Sequence, residues 1–191
     1  MLRDVLKPGM TKSEIEQFLN GKGDYVQIDH LGRFVKEPIA LETKKFVFLK
    51  LAALYEKAKM FNDSAKMYSN AAELSIPFAE KIKHHMKETE LYAKTGSFDR
   101  VENAMRKALG QANSREKEDV HASVKMFYKE QAKTCEAELK RNQAVRFYEK
   151  ILEMRISEQE RREIREKLLE LYKKLGKVRE YQAMEKGLQK P

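Results

Sequence analysis

The side chains with the greatest capacity for chemistry in this sequence are four histidines, His30, His84, His85 and His121, and one cysteine, Cys135. Metal sites and nucleophilic centres need such groups at set spacings, for example HExxH on one helix face or paired Cys/His ligands. His84 and His85 are adjacent, so on a helix they point to different sides and cannot chelate one ion together. No HExxH, CxxC, GxSxG or GxGxxG spacing occurs. The sequence therefore predicts no catalytic residue, no metal and no cofactor.

Three further features could take part in chemistry, but we assign each of them a structural role. The single Cys135 cannot form an internal disulfide and falls at an apolar repeat position, which predicts a buried thiol. The stretch from Gly21 to Gly23 is glycine-rich and basic but lacks the GxxxxGK[ST] spacing, so we interpret it as a helix stop. Glu88 and Glu90 lie two residues apart on a predicted helix, do not face each other, and are predicted to be solvated. We therefore expect that the chain is not an enzyme.

The elements that would position functional residues are best seen between Phe48 and Ala71. Two sets of residues in this stretch each fall on one helix face: Phe48, Leu51, Ala52 and Tyr55, and then Ser64, Tyr68 and Ala71. A short polar segment from Lys57 to Asp63 separates the two faces. The pattern predicts two amphipathic helices joined by a tight turn.

This two-helix pattern recurs along the chain. Tyr55, Tyr92, Cys135 and Tyr172 hold the same place in successive units, at separations of 37 (92 − 55), 43 (135 − 92) and 37 (172 − 135) residues. A fixed order of large and small residues that returns at such periods is typical of an array of helix pairs. We therefore predict about four pairs over residues 41–191.

The alternation of large, small and aromatic residues resembles the tetratricopeptide repeat (TPR), a helix-turn-helix unit of about 34 residues. Phe48 stands where the family pattern has tryptophan, and Lys59 where it prefers glycine; Gly96 supplies that glycine in the second unit. The resemblance covers about residues 44–189. It implies an all-α fold, a right-handed stack of antiparallel helix pairs that forms a TPR-like α-solenoid, with helices longer than usual.

Residues 1–40 do not match the repeat and are predicted to form an N-terminal cap. Thr11 and Glu14 have the capping-box spacing of a helix start. The β-branched and aromatic residues of Tyr25–Asp29 and Arg33–Lys36 predict two short strands in a β-hairpin. The following segment, 41–57, is apolar nearly all round and needs covering. We expect this helix-plus-hairpin cap to cover it.

Composition and charge limit the function classes. Hydrophobic residues make up 41% of the 191 residues and charged residues 36%, which is typical of a soluble, helix-rich protein. No apolar run is long enough to span a bilayer, and the first ten residues lack the apolar segment of a signal peptide. We therefore predict a cytoplasmic protein with no membrane span, either a monomer or a weak homo-oligomer.

The net charge of +9 is concentrated towards the C-terminus. Residues 140–191 hold 15 Lys+Arg against 9 Asp+Glu, or +6, and residues 1–139 hold 24 against 21, or +3. Such a basic segment can attract nucleic acid, an acidic protein or an anionic membrane. It can equally be a solvated helical face rich in Lys–Glu pairs, which we favour because no aromatic residues alternate with the basic ones. Nucleic-acid binding by this third stays as the alternative function.

The resemblance also implies where a partner would bind, because the first helix of each TPR unit lines a concave groove that binds peptides. The matching positions are Lys83, Met86 and Glu90 in the second unit and Met126, Lys129 and Lys133 in the third, followed by Glu166, Glu170, Lys173 and Lys174 in the fourth. A scaffold or adaptor that binds a peptide or helix, preferably an acidic one, is the predicted function. The alternative to a binding groove stays open, namely that Met86 and Met126 pack between helices and that the lysines are solvated.

Overall fold

The computed structural model describes residues 5–188, and that part of the chain forms ten α-helices and no strand. In chain order the helices are α1 (Lys12–Leu19), α2 (Asp24–Phe34), α3 (Leu41–Lys57), α4 (Phe61–Leu74), α5 (Phe78–Lys94), α6 (Phe98–Gln111), α7 (Ser114–Ala137), α8 (Arg141–Glu153), α9 (Glu158–Leu175) and α10 (Val178–Leu188). The all-α prediction is confirmed. None of these helices is long and apolar enough to cross a bilayer.

The turns within the helix pairs share one backbone feature. A single residue with positive φ follows α3, α5, α7 and α9: Lys59 (59°), Gly96 (67°), Leu139 (58°) and Gly176 (67°). Their separations, 37 (96 − 59), 43 (139 − 96) and 37 (176 − 139), equal those predicted from the side-chain pattern. The left-handed residue lets the chain reverse after about one residue beyond the helix. The backbone therefore repeats as helix pairs at the predicted periods.

Small residues allow the helices of a pair to lie close together. Ser64 and Ala71 of α4 and Ala52 of α3 are buried. The Ser64 hydroxyl donates a hydrogen bond of 2.8 Å to the Ala52 carbonyl across the pair. This bond satisfies a polar group in the interior that would otherwise cost stability. Ser64 therefore is small enough to let the two helices lie close together, and its hydroxyl has a hydrogen-bond partner in the interior.

The chain divides into two compact units, one reaching to Val120 and the other beginning at His121, so that the division falls within α7. In the first, which we call the N-terminal unit, α2 packs on α3, α3 on α4, α4 on α5 and α5 on α6. In the second, the C-terminal unit, α8 packs on α9 and α9 on α10, and Tyr128 of α7 contacts Phe147 of α8. Successive helices thus pack as in a helical repeat. The boundary predicted at residues 40 and 41 stays a prediction.

The predicted hairpin at residues 25–36 is wrong, because this segment forms α2. Leu31 and Phe34 are buried and Ile28 packs beside them, a spacing of three that suits a helix and not a strand. An ion pair of 2.8 Å between Asp29 and Arg33, one turn apart, adds to the helix. Burial of this stripe outweighs the β propensity of Tyr25 and its neighbours.

The two N-terminal helices share one hydrophobic core with α3. Ile15 and Leu19 of α1 and Leu31 of α2 cluster with Val47 and Leu51 of α3. Charged pairs flank this core, with Lys50 of α3 2.6 Å from Glu16 and Lys57 of α3 2.8 Å from Asp24. The capping box between Thr11 and Glu14 at the start of α1 is present as predicted.

Candidate functional site

A cleft with an apolar floor, which we call the C-terminal cleft, lies among α7, α8 and α9 of the C-terminal unit. It has a volume of about 440 Å³. Its lining residues are Lys129, Lys133, Tyr148, Glu163, Ile164, Glu166, Lys167 and Glu170. Tyr148 and Ile164 are 4% and 6% exposed and form the apolar part, while the other six are charged. The cleft therefore combines an apolar floor with a charged rim, as ligand sites commonly do.

Helical register brings these side chains together. Lys129 and Lys133 lie one turn apart on α7, beside a stripe that is anchored by the buried Tyr128, Ala132 and Cys135. On α9 the lining residues recur at spacings of three and four from Glu163 to Glu170, beside the buried Leu168, Leu171 and Tyr172. Buried stripes fix the rotation of each helix about its axis. The rim charges follow from that rotation.

One carboxylate organises the lysines on the α7 side of the cleft. Glu160, in the first turn of α9, accepts hydrogen bonds from Lys129 at 2.6 Å and from Lys125 at 3.0 Å. These bonds, with one from the Ser157 backbone, lower the pKa of Glu160 to about 2. Glu160 and Ser157 also form a capping box at the start of α9. The charge of Lys129 is therefore largely neutralised within the protein.

The remaining rim charges differ in how they are paired. Lys167 lies 3.6 Å from Glu136, and Glu170 accepts a hydrogen bond of 2.6 Å from Lys174, which lowers the pKa of Glu170. Lys133 and Glu166 form no ion pair with another described residue. These two side chains present opposite charges to whatever enters the cleft.

Two tyrosine hydroxyls tie the floor of the C-terminal unit to acidic side chains. The Tyr148 hydroxyl donates to Glu136, and the Tyr172 hydroxyl donates to Glu149 at 2.8 Å. Burial, and then these hydrogen bonds, raise the pKa of both tyrosines. A hydroxyl bonded to a carboxylate holds its ring in one orientation. The apolar floor at Tyr148 is therefore preformed.

The six residues predicted to line a groove fall in both compact units. In the C-terminal unit Lys129 and Lys133 line the same cleft, and Met126 is 58% exposed. In the N-terminal unit Lys83 is exposed and Met86 is half-buried. Their partner-binding role stays a prediction.

Glu90, the sixth of these residues, is half-buried in an ion-pair network. It accepts hydrogen bonds from Lys94 at 2.7 Å and from Lys87 at 3.0 Å, and both lysines also approach Glu56. Burial acts to raise the pKa of Glu90, but the bonds from Lys94 and Lys87 outweigh it and lower the pKa. The prediction that Glu90 is solvated is wrong, because Lys87 and Lys94, each about one turn away on the same helix, pair with its carboxylate.

The prediction that Glu88 is solvated is also wrong. Glu88 is 3% exposed, and its carboxylate lies 2.9 Å from Nδ1 of the buried His85 and 3.5 Å from Nζ of Lys107 on α6. The spacing of three between His85 and Glu88 was a sequence signal for such a pair. No sequence signal placed Lys107 beside them, because the contact joins two helices.

Glu88 forms part of the base of a second opening, which we call the N-terminal cleft, formed by α4, α5 and α6. Its volume is about 320 Å³. Its lining residues are Lys66, Ser69, Asn70, Glu88, Tyr92, Arg100, Asn103 and Lys107. All eight carry a polar or charged group, so this cleft differs in chemistry from the C-terminal cleft. Pattern analysis missed it because its residues are scattered over three helices.

Within residues 5–188 no group of three or more His, Cys, Asp or Glu side chains is arranged to hold a metal ion. Cys135 is buried, as predicted, and burial raises the pKa of its thiol. A thiol with a raised pKa is a poor nucleophile at neutral pH.

Comparison with known proteins gives a structural likeness but no family match. No protein-family model matches the chain, and no curated protein matches it. Among solved structures, the crystal structure of BtubC (BKLC) from P. vanneervenii is similar at 17% sequence identity, over 90% of this chain and 74% of that one, with a TM-score of 0.37. At that TM-score the likeness carries no argument about fold or function.

Proposed function

We propose that the protein is a non-enzymatic interaction module, a scaffold or adaptor, that binds a segment of a partner protein in the C-terminal cleft. The observation that carries the proposal is the cleft's preformed apolar floor, Tyr148 and Ile164, beneath a rim where Lys133 and Glu166 form no ion pair with any residue of the described range 5–188. Binding sites for side chains of a peptide combine such a pocket with a few charges that fix orientation.

The chemistry of the rim defines the partner segment. An apolar side chain occupies the floor at Ile164, and an acidic residue reaches Lys133 on the α7 side. Lys129 contributes less, since Glu160 already accepts a hydrogen bond of 2.6 Å from it. The partner is therefore an amphipathic segment with a carboxylate near its apolar anchor.

The proposal includes the finer architecture. The helix pairs form a right-handed, TPR-like solenoid, in which the first helices α7 and α9 line the concave surface. At the other end α1 and α2 act as the cap, since they bury Val47 and Leu51 of α3 in a shared core. The periods of 37 and 43 residues exceed the usual TPR length, so the curvature differs from that of a standard array.

Nucleic-acid binding by the basic C-terminal third is less well supported. Several lysines of the C-terminal unit are held by acidic partners, as in the pairs Lys125–Glu160 and Lys174–Glu170. Phosphate contacts would have to compete with these pairs. A gel shift at low salt that weakens steeply as salt rises would favour this alternative.

The experiment is selection of binders from a displayed library of random dodecapeptides, followed by fluorescence titration of the enriched sequences. We expect enriched peptides to combine an apolar anchor with an acidic residue. Lys133→Glu should weaken their binding by roughly tenfold or more, because an attraction becomes a repulsion. Lys186→Glu, the same charge change on an exposed residue of α10, is the matched control.

A second variant tests the floor. Ile164→Ala should also weaken the enriched peptides, with circular dichroism to verify that the helices are retained. Enriched peptides that bind Lys133→Glu and Ile164→Ala as well as they bind the unaltered protein would reject the C-terminal cleft as the binding site. A library that yields no binder would reject the proposed peptide-binding function.

A further inference from the structure

We propose that the N-terminal cleft binds a phosphate monoester. All of its lining residues belong to the N-terminal unit, and none of them lines the C-terminal cleft. The inference is therefore independent of the function proposed above.

The charge balance of the cleft matches a dianion. Three cations line it, Lys66, Arg100 and Lys107, against the single carboxylate of Glu88, so the lining carries +2 (3 − 1). A phosphate monoester carries about −1.5 to −2 charges at pH 7, whereas a carboxylate or a phosphodiester carries only one. A monoester is therefore the ligand that leaves the cleft closest to neutral.

Two of the cations are held in place before any ligand arrives. Lys107 donates a hydrogen bond of 3.0 Å to the Ser69 hydroxyl and lies 3.5 Å from Glu88. Arg100 donates to the Asn62 side chain at 3.1 Å and stacks over the Tyr92 ring, 5.5 Å from its centroid. Such contacts reduce the conformational entropy lost on binding.

Lys66 supplies the third cation from the opposite side, on α4. Its ammonium group lies 3.4 Å from Asp63, one turn earlier, in a pair whose side chains are both largely exposed. Exposed pairs of this kind contribute little stability, so Lys66 can leave Asp63 and bind a phosphoryl oxygen at little cost. Asp63 itself does not line the cleft.

Neutral hydrogen-bonding groups complete the lining. Asn70 of α4 and Asn103 of α6 line the cleft with amide groups, and Ser69 lines it with a hydroxyl. A phosphoryl group offers three strong acceptor oxygens, and amide and hydroxyl donors beside cations are the groups that bind them. At the base both oxygens of Glu88 are already engaged, one with His85 and one with Lys107. Glu88 therefore serves to fix Lys107.

The test is isothermal titration calorimetry with defined probes at neutral pH. The probes are a capped pentapeptide with a central phosphoserine, the same peptide with glutamate in that place, adenosine 5′-monophosphate and dimethyl phosphate. We expect the two monoesters to bind and the glutamate peptide and the diester to bind at least roughly tenfold more weakly. Preference for the phosphopeptide identifies a phosphorylated protein as the source of the phosphoryl group. Equal binding of the two monoesters shows that the phosphoryl group alone is recognised. Both results support the proposal.

Matched variants locate the site. Lys66→Gln and Arg100→Gln, which remove exposed cations of the cleft, should each weaken the monoesters by roughly tenfold. Arg106→Gln makes the same charge change on α6 outside the cleft and should leave binding unchanged. Absence of monoester binding, equal binding of dimethyl phosphate, or an equal loss in all three variants would overturn the proposal.

Discussion

The two compact units build the same helix pairs but place polar groups differently. In the N-terminal unit the buried side chains include His84, His85, Glu88 and Thr89, all on α5. Among the described residues of the C-terminal unit, no charged side chain, histidine, serine or threonine is buried. Its carboxylates Glu160 and Glu136 instead lie at the edge of the core, bonded to lysines and to a tyrosine hydroxyl.

This difference explains the different chemistry of the two clefts. A carboxylate at the base of the N-terminal cleft requires cations around it, so that cleft is polar throughout. In the C-terminal cleft the core side chains Tyr148 and Ile164 reach the surface, and the charges are confined to the rim. A repeat pattern fixes which positions are interior but not whether a neighbouring helix supplies an ionic partner there.

Removal of the buried carboxylate is the sharpest test of this contrast. It should have the largest effect on the free energy of unfolding. Glu88→Ala removes the carboxylate partner of the buried His85 and leaves Lys107 with the Ser69 hydroxyl alone of its two acceptors. We expect the free energy of unfolding to fall by about 3 kcal/mol, since breaking a buried ionic contact leaves an uncompensated polar group. Urea denaturation followed by circular dichroism measures the loss.

Two companion variants make the comparison quantitative. Glu88→Gln keeps an acceptor for His85 and should cost about 1 kcal/mol. Glu160→Ala, at the edge of the C-terminal core, should cost only about 1 kcal/mol. Losses of equal size for Glu88→Ala and Glu160→Ala would remove the distinction between the two units.

Most of the helical framework follows from the sequence alone. Leu51, Ala52, Tyr92 and Cys135 occupy positions of the predicted repeat pattern, and all four are buried. Such predictions succeed because a long amphipathic helix has only one face to bury, whichever helix lies opposite. Lys133 of the third unit corresponds to Glu170 of the fourth by its offset, and both line the C-terminal cleft.

Two of the errors share a physical cause, which is contact between elements distant in sequence. Residues 24–34 have local β propensity, but packing of Leu31 and Phe34 in the core shared with α3 makes them helical. Glu88 was predicted to be solvated from its helix position, and Lys107 of the next helix lies against it. A single sequence does not reveal which charges of two neighbouring helices meet.

The second prediction concerns acid stability and the C-terminal unit. The fold lowers the pKa of Glu160 from its ordinary 4.5 to about 2, so the folded state binds fewer protons than the unfolded state between these values. This contribution is complete above about pH 4.5 and is lost as the pH falls towards about 2. Glu160→Gln should therefore lower stability by about 1 kcal/mol at neutral pH and by progressively less in acid.

Urea denaturation at a series of pH values measures this effect. Glu158→Gln changes an exposed carboxylate two residues away and is the control, since its side chain is 77% exposed. A difference between Glu160→Gln and the unaltered protein that does not shrink on acidification would contradict the role assigned to the lysine pairs. The same series on Glu88→Gln shows whether the N-terminal unit responds differently.

The smallest expected effects concern the left-handed turns that both units share. Gly96→Ala places a side chain at φ +67°, where nothing crowds it, so its cost of about 1 kcal/mol is backbone strain alone. Lys59→Gly and Leu139→Gly relieve the same backbone strain, at φ 59° and 58°. Each should raise the free energy of unfolding by about 0.5 kcal/mol, because the larger conformational entropy that glycine loses on folding offsets part of the gain. Gly32→Ala is the control, because Gly32 lies within α2 and is equally uncrowded. This substitution should stabilise the protein by up to about 1 kcal/mol, whereas Gly96→Ala destabilises it. Thermal and urea unfolding of all four variants would reject the shared turn geometry if Gly96→Ala and Gly32→Ala shifted stability in the same direction.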